Sequence, residues 1–117
     1  MKAKSYQLPM VDLSESTRLV EMLQSAGIKF DYIPTPELGG VTIKVPSMEQ
    51  WEAHRGVSII QHFGSYGGQS GRLECWCKTK RLMEKEPVGW LTAEEVFEKV
   101  QKAIGINAEP LDMEVIE

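Results

Sequence analysis

Two cysteines one residue apart, Cys75 and Cys77, and a histidine at 62 are the side chains of this chain best suited to covalent or metal chemistry. A thiolate beside an imidazole is a nucleophile, and His54, His62, Cys75 and Cys77 are enough in number to hold a zinc ion. The spacing argues against the metal. Structural zinc sites take cysteines two to four residues apart in a turn, whereas a single intervening residue in a strand sets both thiols on one face. There they alternate with Leu73 as buried residues do, and free cysteine is among the most buried types. No metal ligand and no cofactor is therefore assigned. Same-face neighbours on a strand stand about 7 Å apart at Cα, too far for an easy disulfide, and reduced thiols fit a cytoplasmic protein. The nucleophile reading needs His62 opposite Cys77 across a hairpin, where Cβ atoms lie about 5 Å apart. A hairpin centred near residues 69–70 would do this, and a one-residue shift would undo it.

Glycines at 64, 67, 68 and 71 separate two β-prone arms, so that Val57–Lys78 reads as a hairpin with a long tip. Successive backbone N–H groups in such a loop can cradle an anion. Phosphate loops gain much of their pull from a helix that starts directly behind them, and they end in Gly-Lys-Ser/Thr. Here Arg72–Lys78 reads as a strand, and that ending is missing. The plainer reading is a connection whose glycines take positive φ or admit another backbone. Ser65, Tyr66, Gln69, Ser70 and Arg72 make the tip polar around one aromatic ring, and tyrosine and arginine are residue types that anchor protein contacts. The candidate binding surface is Tyr66, Gly67, Gly68, Gln69 and Arg72, with Trp76 on the outward side of the second arm.

Arg72, Lys78, Lys80, Arg81 and Lys85 fall close together around Trp76, a pattern that can track a single nucleic-acid strand. Glu74, Glu84 and Glu86 dilute it, as on an ordinary solvated face. The net charge of −4 comes from the end of the chain, where Glu109, Asp112, Glu114 and Glu117 follow the last lysine, Lys102. With no basic excess before it, nucleic acid is not the expected partner. The segment after Pro110, LDMEVIE, alternates apolar residues with carboxylates and reads either as a loose acidic tail or as an added strand.

The elements that would hold these residues follow from periodicity. Asp12 with Glu15 predicts a capping box opening a helix over 13–26, with Leu19, Val20, Leu23 and Ala26 on one face and Gly27 as its stop. Residues 28–33 alternate as a strand that Pro34 and Pro36 end, and Val41–Val45 is its β-branched partner. Ser47 and Gln50 predict a short helix carrying Met48 and Trp51 inward. Ile59 with Phe63 and Ile60 with His62 give the first hairpin arm apolar content on both faces, as in an interior strand. On the second arm Leu73, Cys75 and Cys77 form the buried set. Residues 79–86 fit either a strand extension or a loop. Thr92 and Glu95 open the last helix with a capping box, Leu91 and Val96 staple it, and Gly105 ends it.

The expected fold is a two-layer α+β domain: a mainly antiparallel sheet of four or more strands, covered on one face by two longer helices and one short one. A chain of 117 residues, 42% hydrophobic and 26% charged, is expected to be one globular domain, with 1–11 as a lead-in and 106–117 as the tail. No apolar run approaches the roughly 20 residues of a membrane helix, and the first residues do not resemble a secretory signal. A cytoplasmic protein follows. No catalytic constellation emerges, and the leaning is away from an enzyme. Three functions are ordered: a non-enzymatic interaction or regulatory domain using the 64–72 tip with an unidentified protein partner; a binder of a small anion or nucleotide in the glycine loop; and last a cysteine-dependent enzyme using His62 and Cys77. A homodimer through an edge strand or the uncovered sheet face is a further expectation.

Overall fold

The computed structural model describes residues 9–47 and 56–105. They form, in order, helix α1 (Ser14–Ser25), strands β1 (Asp31–Thr35), β2 (Gly40–Val45), β3 (Gly56–Gln61), β4 (Leu73–Lys78) and β5 (Val88–Leu91), and helix α2 (Ala93–Ile104). The five strands make one antiparallel sheet in chain order, β1-β2-β3-β4-β5. The connections between strands are shorter than a parallel crossover needs, so neighbours in the chain pair antiparallel. The two-layer α+β arrangement expected from the sequence is the one observed. The short helix proposed over 47–55, with Met48, Trp51 and His54, falls outside the described residues, as do the lead-in up to residue 8 and the tail from 106.

Both helices lie on one face of the sheet. Leu19 and Leu23 of α1 and Ala93, Val96, Val100 and Ala103 of α2 pack on Ile43, Val45, Val57, Ile59, Leu73, Cys75 and Cys77 in one continuous core. The strands show why. β2, β3 and β4 bury alternate residues, with Val57 and Ile59 facing Cys77 and Cys75, so each central strand contributes one apolar row to the same layer. β3 sits in the middle of the sheet, as its mixed faces implied.

Three local readings need correction. Asp12 does not cap α1 in the expected way: Leu13 occupies the cap position without a side-chain bond. The Asp12 carboxylate instead accepts from the Ser14 amide (2.9 Å) and hydroxyl (2.6 Å). Pro34 does not end β1 but sits within it. This is tolerated because β1 is an edge strand whose outward side needs no donor. The fifth strand, Val88–Leu91, went unread, because four residues with a glycine give little periodic signal. Residues 79–86 are a loop with a single bridge, Lys78 to Met83. The cap of α2 is as expected: Thr92 and Glu95 exchange bonds, with Glu95 N–H donating to Thr92 Oγ1 (3.2 Å) and Thr92 N–H donating to Glu95 Oε1 (2.8 Å).

Candidate functional site

The β3–β4 connection folds back over the sheet rather than projecting from it. Residues 62–67 turn, Gly68–Ser70 form a 3-10 turn, and Gly67 and Gly71 at its two ends hold left-handed backbone (φ +91° and +76°). Gln61, the last residue of β3, is fully buried and ties the tip down. Its carboxamide donates to the carbonyls of Asp12 (2.8 Å) and Gly68 (3.2 Å) and accepts from Ser16 Oγ (2.7 Å). A buried polar side chain satisfied on all sides costs little and specifies one arrangement. It locks the start of α1, the end of β3 and the glycine tip together.

The glycines are there for close approach. A methyl group on Gly68 would sit 2.1 Å from the His62 carbonyl oxygen and 2.3 Å from Ser65 Oγ. The tip then lies across β5. Trp90 donates its amide to the Tyr66 carbonyl at 3.1 Å. A methyl group on Gly89 would meet Tyr66 Cβ at 2.2 Å, and one on Gly67 would meet Trp90 Cα at 2.9 Å and Arg72 Cβ at 3.0 Å. Tyr66 donates its own amide to Glu74 Oε1 (2.7 Å). Glycine on both sides of this seam is what lets two backbones touch.

Most of the loop's amides are thus engaged inside the protein. Those of Gly64, Ser65, Tyr66, Gly68, Ser70, Gly71 and Arg72 all donate within the protein, and a carboxylate already occupies the Tyr66 N–H. Gln69 is likewise engaged, its Nε2 donating to the Phe63 carbonyl (2.9 Å). Gly67 and Gly68 are buried and serve as supports. Tyr66 and Arg72 are exposed, Tyr66 by 60%.

Trp90 is the residue that sequence reasoning missed. It is 63% exposed and the only non-glycine residue among those described with positive φ, +62°. A bulky side chain seldom adopts that backbone, and the cost is about 1–2 kcal/mol. The distortion sits at a β-bulge, since Leu73 pairs with Leu91 and Cys75 with Val88, leaving Gly89 and Trp90 together opposite Glu74. Only the Gly-Trp dipeptide on a strand edge hinted at it, because bulges mark places where a side chain is re-aimed.

Trp76 is not part of this cluster. It was expected to stand outward in the open, but it is half-buried on the face of the sheet away from α1 and α2, opposite Ser58. Its indole N–H donates to the Glu84 carbonyl (2.9 Å), and Lys78 Nζ lies 3.9 Å from the ring centroid. Four residues of strand, about 13 Å, separate it from Arg72.

The pairing of His62 with Cys77 is overturned. Cys77 faces Val57, and the hairpin is centred on residue 67. The physical reason is parity. Val57, Ile59 and Gln61 share the buried face with Leu73, Cys75 and Cys77, so an odd residue must oppose an odd one, and His62 opposite Cys77 would turn one row to solvent. His62 lies at the far end of the hairpin, its Nδ1 accepting from the Gly64 amide (3.1 Å).

Both thiols are free and fully buried, with their sulfurs 3.9 Å apart. The bond between them, then burial, push the Cys75 thiol far above the usual range. The same bond acts the other way on Cys77 and makes it the more acidic of the two, against burial and the Glu84 carboxylate. Glu84 takes the Cys77 amide (2.9 Å) and is ion-paired with Lys99 of α2. Burial works against the Lys99 charge, but Glu84 outweighs it and holds the ammonium above its ordinary value. Among the described residues no three His, Cys, Asp or Glu side chains gather as a metal site, and no helix is long and apolar enough to cross a membrane.

Comparison with protein-family models, with curated proteins and with solved structures finds no match.

Proposed function

We propose that this protein is a small intracellular, non-enzymatic interaction domain whose contact surface is the tip of the β3–β4 hairpin together with the bulged edge of β5. One observation carries the reading: Tyr66, Arg72 and Trp90 converge on Gly67, with Tyr66 and Trp90 each more than half exposed. Tryptophan, tyrosine and arginine dominate the energetics of protein interfaces. A strained, exposed tryptophan costs stability and contributes little to the core, and strained residues of this kind gather at functional sites. Relative to the surface expected from the sequence, Trp90 joins and Trp76 leaves.

The anion-binding reading of the glycine loop has less support, because most of its amides are occupied. The cysteine-enzyme reading loses its base, and its thiols are sealed. Free, buried cysteines favour a reducing compartment such as the cytoplasm.

The test is affinity capture from cell extract by wild type, by Trp90→Gly and by Lys80→Ala, the last an exposed residue at the other end of β4. Proteins retained by wild type and Lys80→Ala but lost by Trp90→Gly support the surface. Capture that is indifferent to Trp90→Gly, in a variant with unchanged thermal denaturation, removes it.

A further inference from the structure

Resting on that reading, we infer that the tip recognises an acidic, apolar polypeptide segment, one that sets a carboxylate for Arg72 beside an apolar side chain for Trp90 and Tyr66. The Arg72 side chain is exposed and forms no hydrogen bond or ion pair among the described residues. Its Cβ and the Cα of Trp90 both lie about 3 Å from one point beside Gly67, so the two residues are within about 6 Å of each other. Glu74, two residues along the chain, accepts from the Tyr66 amide instead. A guanidinium next to large aromatic surface is partly shielded from water when a partner covers it, and there it pairs most strongly with a planar carboxylate.

The charge count separates this ligand from the alternatives. Arg72 is the only lysine or arginine between Gly56 and Cys77, and the seam strand, Val88–Leu91, carries no charge. Nucleic acid and other polyanions draw their affinity from several neutralised phosphates, and one guanidinium matches one carboxylate. Recruitment by strand addition is also disfavoured. A partner strand needs a regular edge, and here a bulge and a left-handed residue interrupt the backbone of β5. Contact through side chains remains.

The experiment is a selection from a random twelve-residue peptide display library on the full chain, counter-selected on Trp90→Gly. The expected enrichment is Asp or Glu within a few positions of aliphatic, proline or aromatic residues. Synthetic hits are expected to bind Arg72→Glu and Trp90→Gly about tenfold or more weakly than wild type, and selection on Arg72→Glu is expected to return lysine- or arginine-bearing peptides. Enriched peptides that depend on Trp90 but are basic or uncharged, or that bind Arg72→Glu as well as wild type, overturn the acidic partner and leave the interaction surface standing. No Trp90-dependent enrichment from the library overturns both.

Discussion

Glu15 accepts the backbone N–H of Ala93 at 2.6 Å, so a carboxylate on the first helix caps the first turn of the last one. The two residues are 78 apart in the chain. The bond satisfies a donor that the α2 capping box leaves open and sets a negative charge at the positive end of the helix dipole. Arg18 and Glu94, ion-paired alongside but exposed, add little.

Glu15→Ala is therefore expected to destabilise the fold by about 1 kcal/mol. Thermal denaturation should register a fall of about 4 °C per kcal/mol for a domain of this size. Glu15→Gln, which keeps the acceptor and loses the charge, should recover part of it. An unchanged midpoint for Glu15→Ala means that water replaces the carboxylate without cost.

Gln61→Leu keeps the buried volume and strands three partners: the Ser16 hydroxyl and the carbonyls of Asp12 and Gly68. Two of the three bonds are buried, to Ser16 and Gly68, and each buried group left unsatisfied costs about 1–3 kcal/mol, so denaturant unfolding should show a loss of about 2–6 kcal/mol. The double variant Ser16→Ala, Gln61→Leu should lose less than the two single losses combined, because the pair shares one bond.

Gly89 and Gly71 are expected to respond differently to alanine. Gly71 has open space around it and only its positive φ to resist, so Gly71→Ala should cost about 1 kcal/mol. Gly89→Ala drives a methyl group into Tyr66, and the tip must lift from β5. A loss of about 2 kcal/mol or more is expected, with a change in tryptophan emission as Trp90 moves.

Trp90→Gly should unfold no more readily than wild type. Removing an exposed ring from a left-handed position relieves about 1–2 kcal/mol of backbone strain, against about 1 kcal/mol of added chain entropy in the unfolded state. A large loss of stability would mean that the ring packs against the fold, and the interaction surface would then lack its main anchor.

The thiols predict a pH dependence. Cys75 has its pKa raised in the folded state, so the folded protein holds a proton there that the unfolded chain gives up. Its contribution is fully present below the ordinary thiol value of about 8.5 and declines as pH rises past it. Cys77 is shifted the other way and offsets part of this. The double variant Cys75→Ala, Cys77→Ala should therefore flatten the loss of stability between about pH 8 and 10 relative to wild type, whereas Cys75→Ala alone frees Cys77 from the bond that lowers it and should not. Alkylation of the native protein at neutral pH should be slow and should accelerate only on unfolding, since neither sulfur reaches solvent.

What could be read along the chain is what repeats or terminates locally. The alternation of Leu73, Cys75 and Cys77 marked a buried row because the strand period of two is imposed by the backbone itself. Thr92 with Glu95 marked a helix start because both partners lie within one turn. The same capping pattern at Asp12 and Glu15 misled, since a nearer donor in Ser14 and a distant one in Ala93 each took a carboxylate. The polar tip with Tyr66 and Arg72 was legible as a surface, but its third member was not, because Trp90 lies 18 residues beyond Arg72 and reaches it only when the hairpin folds over β5.

Local periodicity and capping chemistry thus settled which residues face inward and where the last helix begins, whereas the hairpin register, the second cap on α2 and the Tyr66–Trp90 seam were decided by the packed fold alone. Each of those three depends on which of several competing donors, acceptors or faces comes within a few ångströms of the other. That is a property of distance in space, and separation along the chain does not encode it.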